Sequence, residues 1–173
     1  LRRADREREY FMGILEAQPA LPHWLADRWR KQWGEENVAR FDAIARQEAP
    51  VDLCLVDRSA KTLEGAETLP TNQFRFAEGF SGFQDTELGK SGKWWVQDLG
   101  AHAPIATLGD LSGQTAIDLC SAPGGKTMQL ARAGADVVSV YSNGYRLEKV
   151  AQNLERTGLK AAVKKIDVLK YSH

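Results

Sequence analysis

The segment from Thr115 to Asp167 constrains the fold more than any other part of the chain. "TAIDL" and "DVVSVY" are apolar runs of strand length, and "KAAVKKID" reads as a third strand. Between them, "GGKTMQLARAG" and "GYRLEKVAQNLERTG" carry helical spacing and end on glycine. In the second helix Leu147, Val150, Ala151 and Leu154 are expected inward, with Gly158 as the stop. Strand, helix, strand, helix, strand predicts parallel strands joined by right-handed crossovers in an open α/β sheet. Ligands of such sheets sit beyond the carboxyl ends of the strands. The loop 119–126, "LCSAPGGK", falls there.

Gly124 and Gly125 let a ligand approach the backbone, and Pro123 stiffens the entry. The helix that follows offers N–H groups to a carboxylate or phosphate. Three ligand classes compete. A phosphate loop, G-x-x-x-x-G-K-[ST], needs glycine where Cys120 stands. The dinucleotide fingerprint G-x-G-x-x-G is absent. S-adenosylmethionine needs a tight glycine turn after the first strand and a group for the ribose hydroxyls after the second, and the loop fits this class best. A glycine-rich turn with no ligand is the plain alternative.

Elsewhere the chain is organised around helices and short strands. Residues 1–18 show helical spacing at Tyr10, Phe11, Ile14 and Leu15. "PHWLADRWRKQW" begins on a proline and ends at Gly34; "EENVARFDAIARQEA" follows with Val38, Phe41, Ile44 and Ala45 inward. Trp24, Trp29 and Trp33 are expected as the core of a small helical bundle, a stacking platform for bases being the alternative. "VDLCLV" (51–56) is a short buried strand in which Val51, Leu53 and Leu55 alternate with Asp52 and Cys54, Cys54 serving as a small packing residue. Residues 58–93 hold two or three short strands, and a helix runs from near Gln97 to Gly109. Three units are expected: a helical segment at 1–48, a small α+β RNA-docking region at 49–93, and a partial cofactor domain at 94–173.

Composition narrows the class. The chain has 173 residues, 43% hydrophobic and 27% charged, as in a soluble globular protein. No apolar run approaches the ~18 residues of a membrane span. Two cysteines, Cys54 and Cys120, do not make a disulfide scaffold, so a reducing, cytoplasmic setting is expected. There is no CxxC pair and the three histidines are scattered, so no metal site is expected. Net charge is zero, but residues 111–173 carry nine basic and five acidic side chains, making that third the place to meet an anion. Lys160, Lys164, Lys165 and Lys170 are read as solvated surface rather than phosphate contacts.

The block "DLCSAPGGKT" (118–127) resembles the D-x-C-A-A-P-G-G-K-T motif of the Sun/Fmu-type (NOL/NOP/Sun) RNA (cytosine-5) methyltransferases, the bacterial 16S rRNA type, with Ser121 the one departure. "WWVQD" (94–98) is similar to that family's lead-in, "FAEGF" (76–80) to an upstream turn, and "RLEKVAQNLERTGL" (146–159) to the helix after its second strand. The opening "LRRADRE" is similar to the tail of a NusB-like RNA-binding domain.

The resemblance implies a Rossmann-like S-adenosylmethionine-dependent fold and an rRNA substrate. It places Cys120, Ser121, Ala122, Pro123, Gly124, Gly125 and Lys126 around the methionine part of the cofactor, and Asp167 near the adenine. The family's ribose-binding acid falls on Tyr141, with Asn143 as a partial substitute. Family chemistry also uses a cysteine thiolate from a D-A-P-C-S-type segment after the fourth strand. These 173 residues contain no Pro-Cys dipeptide, so no catalytic residue is assigned. The chain, which begins with Leu, is read as a truncated portion of such an enzyme; the alternative is a catalytically inactive RNA-binding remnant.

Overall fold

The computed structural model describes residues 20–77 and 82–171. The expected first helix, the "LRRADRE" tail and part of "FAEGF" lie outside the described residues. The chain divides into two compact units, residues 1–49 and 50–173.

In the first unit, α1 (His23–Trp33) and α2 (Glu35–Ala45) meet at Gly34, whose φ of 81° suits glycine. The Leu21 N–H donates to Asp42 Oδ1 at 3.0 Å. The expected tryptophan core does not form. Trp29 stands edge-on to Phe41 at 5.3 Å, whereas Trp24 is 68% and Trp33 53% exposed. A five-residue step on a helix turns Trp24 roughly 140° from Trp29, and Trp33 is the last helical residue. Val38 and Leu21 are the buried apolar residues here.

The second unit contains two sheets. β1 (Val51–Leu55), β2 (Glu67–Thr68), β3 (Phe74–Phe76) and β4 (Trp94–Val96) form an antiparallel sheet in the order β2-β3-β1-β4. A 3-10 turn (Phe83–Asp85) and α3 (Glu87–Ser91) precede β4, and α4 (Leu99–Ala106) follows it. Trp94, expected to begin the cofactor domain, instead pairs with Leu55 in this sheet. β1 is central in the sheet, and both its faces are covered. Asp52 and Cys54 are therefore as buried as Leu53 and Leu55, as a buried strand requires. Asp52 is stabilised there by a bidentate pair from Arg75 at 2.7 and 2.8 Å, and by the Leu99 N–H at 2.8 Å.

The remaining strands follow the sequence reading closely. β5 (Thr115–Asp118), α5 (Gly125–Arg132), β6 (Asp136–Tyr141), α6 (Gly144–Thr157) and β7 (Ala162–Lys165) build a parallel sheet in the order β5-β6-β7. The inward face of α6 is Leu147, Val150, Leu154 and Thr157; Ala151 is exposed instead. Cys54, Trp95, Met128, Leu147, Val150 and Leu154 form one core shared by β1, β4, α5 and α6. Burying each large member contributes about 1.5–3 kcal/mol. This core fixes the parallel sheet and its loop against the antiparallel sheet.

Candidate cofactor site

Six residues, Leu119–Gly124, connect β5 to α5 at the carboxyl edge of the parallel sheet. The loop is held from below by Thr127. Its hydroxyl, fully buried, lies 2.7 Å from Asp118 Oδ2 and 2.7 Å from Ser139 Oγ. One hydroxyl carries one proton, so Thr127 donates to the carboxylate and accepts from Ser139. β5, α5 and β6 are thereby joined at one point. The Ser121 N–H and hydroxyl both donate to Val140 O at 3.3 Å. From α6, Asn153 Nδ2 donates to Pro123 O at 2.9 Å; Arg156 in turn donates to Asn153 Oδ1 and to Gly92 O and Trp94 O.

Gly124 has φ 113°, and a β-carbon there would stand 3.5 Å from Val150. Glycine is required by the backbone rather than by crowding. α5 starts immediately after it. Thr86, Asp98 and Asn143 cap α3, α4 and α6 with side-chain oxygens, but no side chain caps α5. Its first-turn N–H groups thus face the loop without a side-chain acceptor, the arrangement that accommodates a carboxylate or phosphate.

The sequence-expected residues gather unevenly around this loop. Ser121 and Gly124 are buried, Ala122 and Gly125 half-buried, and Cys120, Pro123 and Lys126 exposed. Tyr141 ends β6, paired with Lys165 of β7, and its phenol accepts from Arg146 Nη1 at 3.0 Å. Asn143 is exposed, and its Oδ1 accepts from the Arg146 N–H as the cap of α6, with its amide NH2 and the second lone pair of Oδ1 left for a ligand. Asp167 Oδ1 accepts from the Leu169 N–H at the end of the sheet. Thr127, Ser139, Asn153 and Arg146 were not singled out in the sequence. Thr127 closes the "DLCSAPGGKT" block, and Arg146 and Asn153 lie within "RLEKVAQNLERTGL", but Ser139 is marked by no motif.

Beneath the loop lies a buried amide chain. Gln97 Nε2 donates to Gln129 Oε1 at 2.8 Å, and Gln129 Nε2 to His102 O at 2.9 Å. Gln97 Oε1 accepts from Trp95 Nε1 at 2.9 Å, and Gln73 Nε2 donates to Gln97 O at 2.6 Å. Cys54 sits in this layer, and burial pushes its thiol up to about 12. It is therefore a protonated thiol at neutral pH and no nucleophile. Among the described residues no three His, Cys, Asp or Glu side chains cluster as a metal site, and no helix is long and apolar enough to cross a membrane.

Residues 105–173 match the family model of the 16S rRNA methyltransferase RsmB/F. The chain is also 32% identical over 180 residues to "Ribosomal RNA small subunit methyltransferase B" of Xylella fastidiosa, covering 93% of this chain and 39% of that protein. The chain is similar to the RsmB/F methyltransferases. A second relative, the "Probable ribosomal RNA small subunit methyltransferase B" of Synechocystis, is 29% identical over 92% of this chain and 41% of its own length. The chain thus spans about two fifths of these curated relatives. The solved structure "The crystal structure of NSun6 from Pyrococcus horikoshii with SFG" superposes with a TM-score of 0.71 over 86% of this chain and 66% of that one, at 14% identity. That likeness supports the fold, a Rossmann-like arrangement.

Proposed function

We propose that the chain supplies the cofactor half-site of an S-adenosylmethionine-dependent methyltransferase that acts at C5 of a cytosine in ribosomal RNA, in the cytoplasm. The observation that carries this reading is the uncapped start of α5 behind Gly124, at the carboxyl edge of β5. Backbone donors of the stretch Cys120 to Lys126 would hold the amino-acid carboxylate of the cofactor. Asp167 would flank the adenine, and Tyr141 with the Asn143 amide would meet the ribose. When bound, the cofactor supplies an electrophilic methyl group. The crystal structure of a fold neighbour with SFG supports the same ligand class.

Cytosine C5 becomes nucleophilic once a thiolate adds at C6. Cys54 is sealed and protonated, and Cys120 lies in the cofactor loop. The described residues therefore bind and orient the cofactor, and residues 49–93 are assigned to RNA docking. Tyr141 favours a second reading, in which the chain is an RNA-binding remnant without catalysis. It places a phenol, already bonded to Arg146, where two ribose hydroxyls need an acceptor pair.

Isothermal titration with S-adenosylmethionine separates the two readings. Micromolar binding that disappears in Gly124→Asp is expected. No heat at millimolar cofactor would sink the cofactor reading for this chain.

A further inference from the structure

At the far end of α5 from the loop lies a cavity of about 650 Å3. Its wall includes Arg58, Lys61, Asn72, His102, Thr107 and Arg132. Three of these are cations, and no acidic side chain lines the cavity among the described residues. Arg58 and Lys61 are exposed and form no ion pair among the described residues; Asp110, outside the wall, interacts with Arg58 at a distance while its carboxylate accepts from Ser112. Pro70, Ile105 and Ala106 give the same cavity an apolar side.

Arg132 is committed. Its Nη1 donates to Leu55 O at 2.7 Å, its guanidinium lies 4.9 Å from the Trp95 ring centroid, and its Nη2 stands 3.2 Å from His102 Nε2. An arginine can only donate, so Nε2 must accept, and the imidazole proton resides on Nδ1. His102 is 1% exposed, and Nδ1 has no partner. A buried donor without an acceptor costs about 1–3 kcal/mol. Nδ1 is sealed from solvent, so the exposed cations of the wall, Arg58 and Lys61, set the sign of charge that a ligand must carry.

We propose that this cavity binds a phosphodiester of the RNA strand, with the phosphate toward Arg58 and Lys61 and the adjoining nucleoside against Pro70, Ile105 and Ala106. The proposal rests on the reading of the substrate as RNA. The cavity is not the cofactor site: α5 carries Arg132 roughly 10 Å from Gly125, at 1.5 Å per residue. It is a second anchor on the same helix, one that positions the strand rather than reacting with it. The cations also lie near the carboxyl ends of α4 and α5, where positive charge is favourable in itself. A test must therefore read more than stability.

Anisotropy of a fluorescein-labelled ten-nucleotide single-stranded RNA, titrated with the full chain across potassium chloride concentrations, gives that reading. The double variant Arg58→Ala/Lys61→Ala is expected to weaken binding about ten-fold. The slope of log K against log salt should fall by about 1.4, two lost contacts at about 0.7 each. Lys61→Glu alone should weaken binding at least as much as Lys61→Ala, with an unchanged melting temperature. An unchanged salt slope, or a lowered melting temperature without a slope change, overturns the proposal. Displacement of the RNA by inorganic phosphate below millimolar concentration would assign the cavity to a free anion and overturn the RNA assignment. Titration of S-adenosylmethionine into the same samples separates the two failures. Intact cofactor binding with an unchanged RNA slope refutes the cavity alone, and a chain that binds no RNA at all refutes both readings.

Discussion

Replacing Tyr141 with Asp should tighten S-adenosylmethionine binding, and the structure sets how much. A carboxylate accepting from two ribose hydroxyls is worth about 1.5–3 kcal/mol, roughly ten- to a hundred-fold in affinity. Two features reduce this gain. Arg146 Nη1 already stands 3.0 Å from the Tyr141 phenol, so a new carboxylate meets a guanidinium before any ligand arrives. That pair is exposed and worth about 0–1 kcal/mol, up to roughly five-fold. The Tyr141 ring also packs against the core of Cys54, Trp95 and Val150, so its loss lowers stability. The expected net result is a gain of about ten-fold for Tyr141→Asp, and a further gain of a few-fold when Arg146→Ala is added. Isothermal titration of the wild type and the two variants measures both steps, with melting curves recorded alongside to confirm folding. An unchanged affinity in both folded variants would show that position 141 does not face the ribose.

Two further outcomes follow from the buried groups. Arg75 beside Asp52 holds its carboxyl below the usual carboxylate range, so the pair stabilises the fold above the unfolded pKa near 4 and loses its effect as pH falls through the lower folded value. Asp52→Asn should therefore cost about 2–3 kcal/mol at pH 7, lowering the melting temperature by about 4–12 °C, and the gap to wild type should close as pH falls through that lowered folded value. In thiol titration of the native chain, Cys120 should react rapidly and Cys54 only on unfolding, so Cys120→Ser should abolish the fast phase.

The parallel sheet was legible because its signals are local. β5 and β6 are short apolar runs, and Gly134 and Gly158 adopt positive φ immediately after their helices, as C-terminal stops do. The glycine turn was legible for the same reason, since the strained backbone at Gly124 admits little else. The antiparallel sheet was hidden because its pairing is remote. Cys54 lies opposite Trp95, forty-one residues on, and nothing within "VDLCLV" shows which strands will flank it. The ion pair of Asp52 was unreadable because its partner, Arg75, sits on another strand. At the site itself, Asn153 and Ser139 went unread for that reason too: each acts across an element boundary, and neither residue type signals it.

The Asn153–Pro123 hydrogen bond, with Arg156 behind it, gives the cofactor loop a second master. A loop fixed only by its flanking strand and helix can open by local fraying. This loop is also tied to the third turn of α6, and through Arg156 to the carbonyls of Gly92 and Trp94 in the other sheet. Releasing it then demands that α6 loosen its hold on the shared core. The loop's amides should accordingly exchange with solvent in one cooperative step with those of α6, so that a ligand gripping seven residues at one edge stiffens a helix whose far end it never touches.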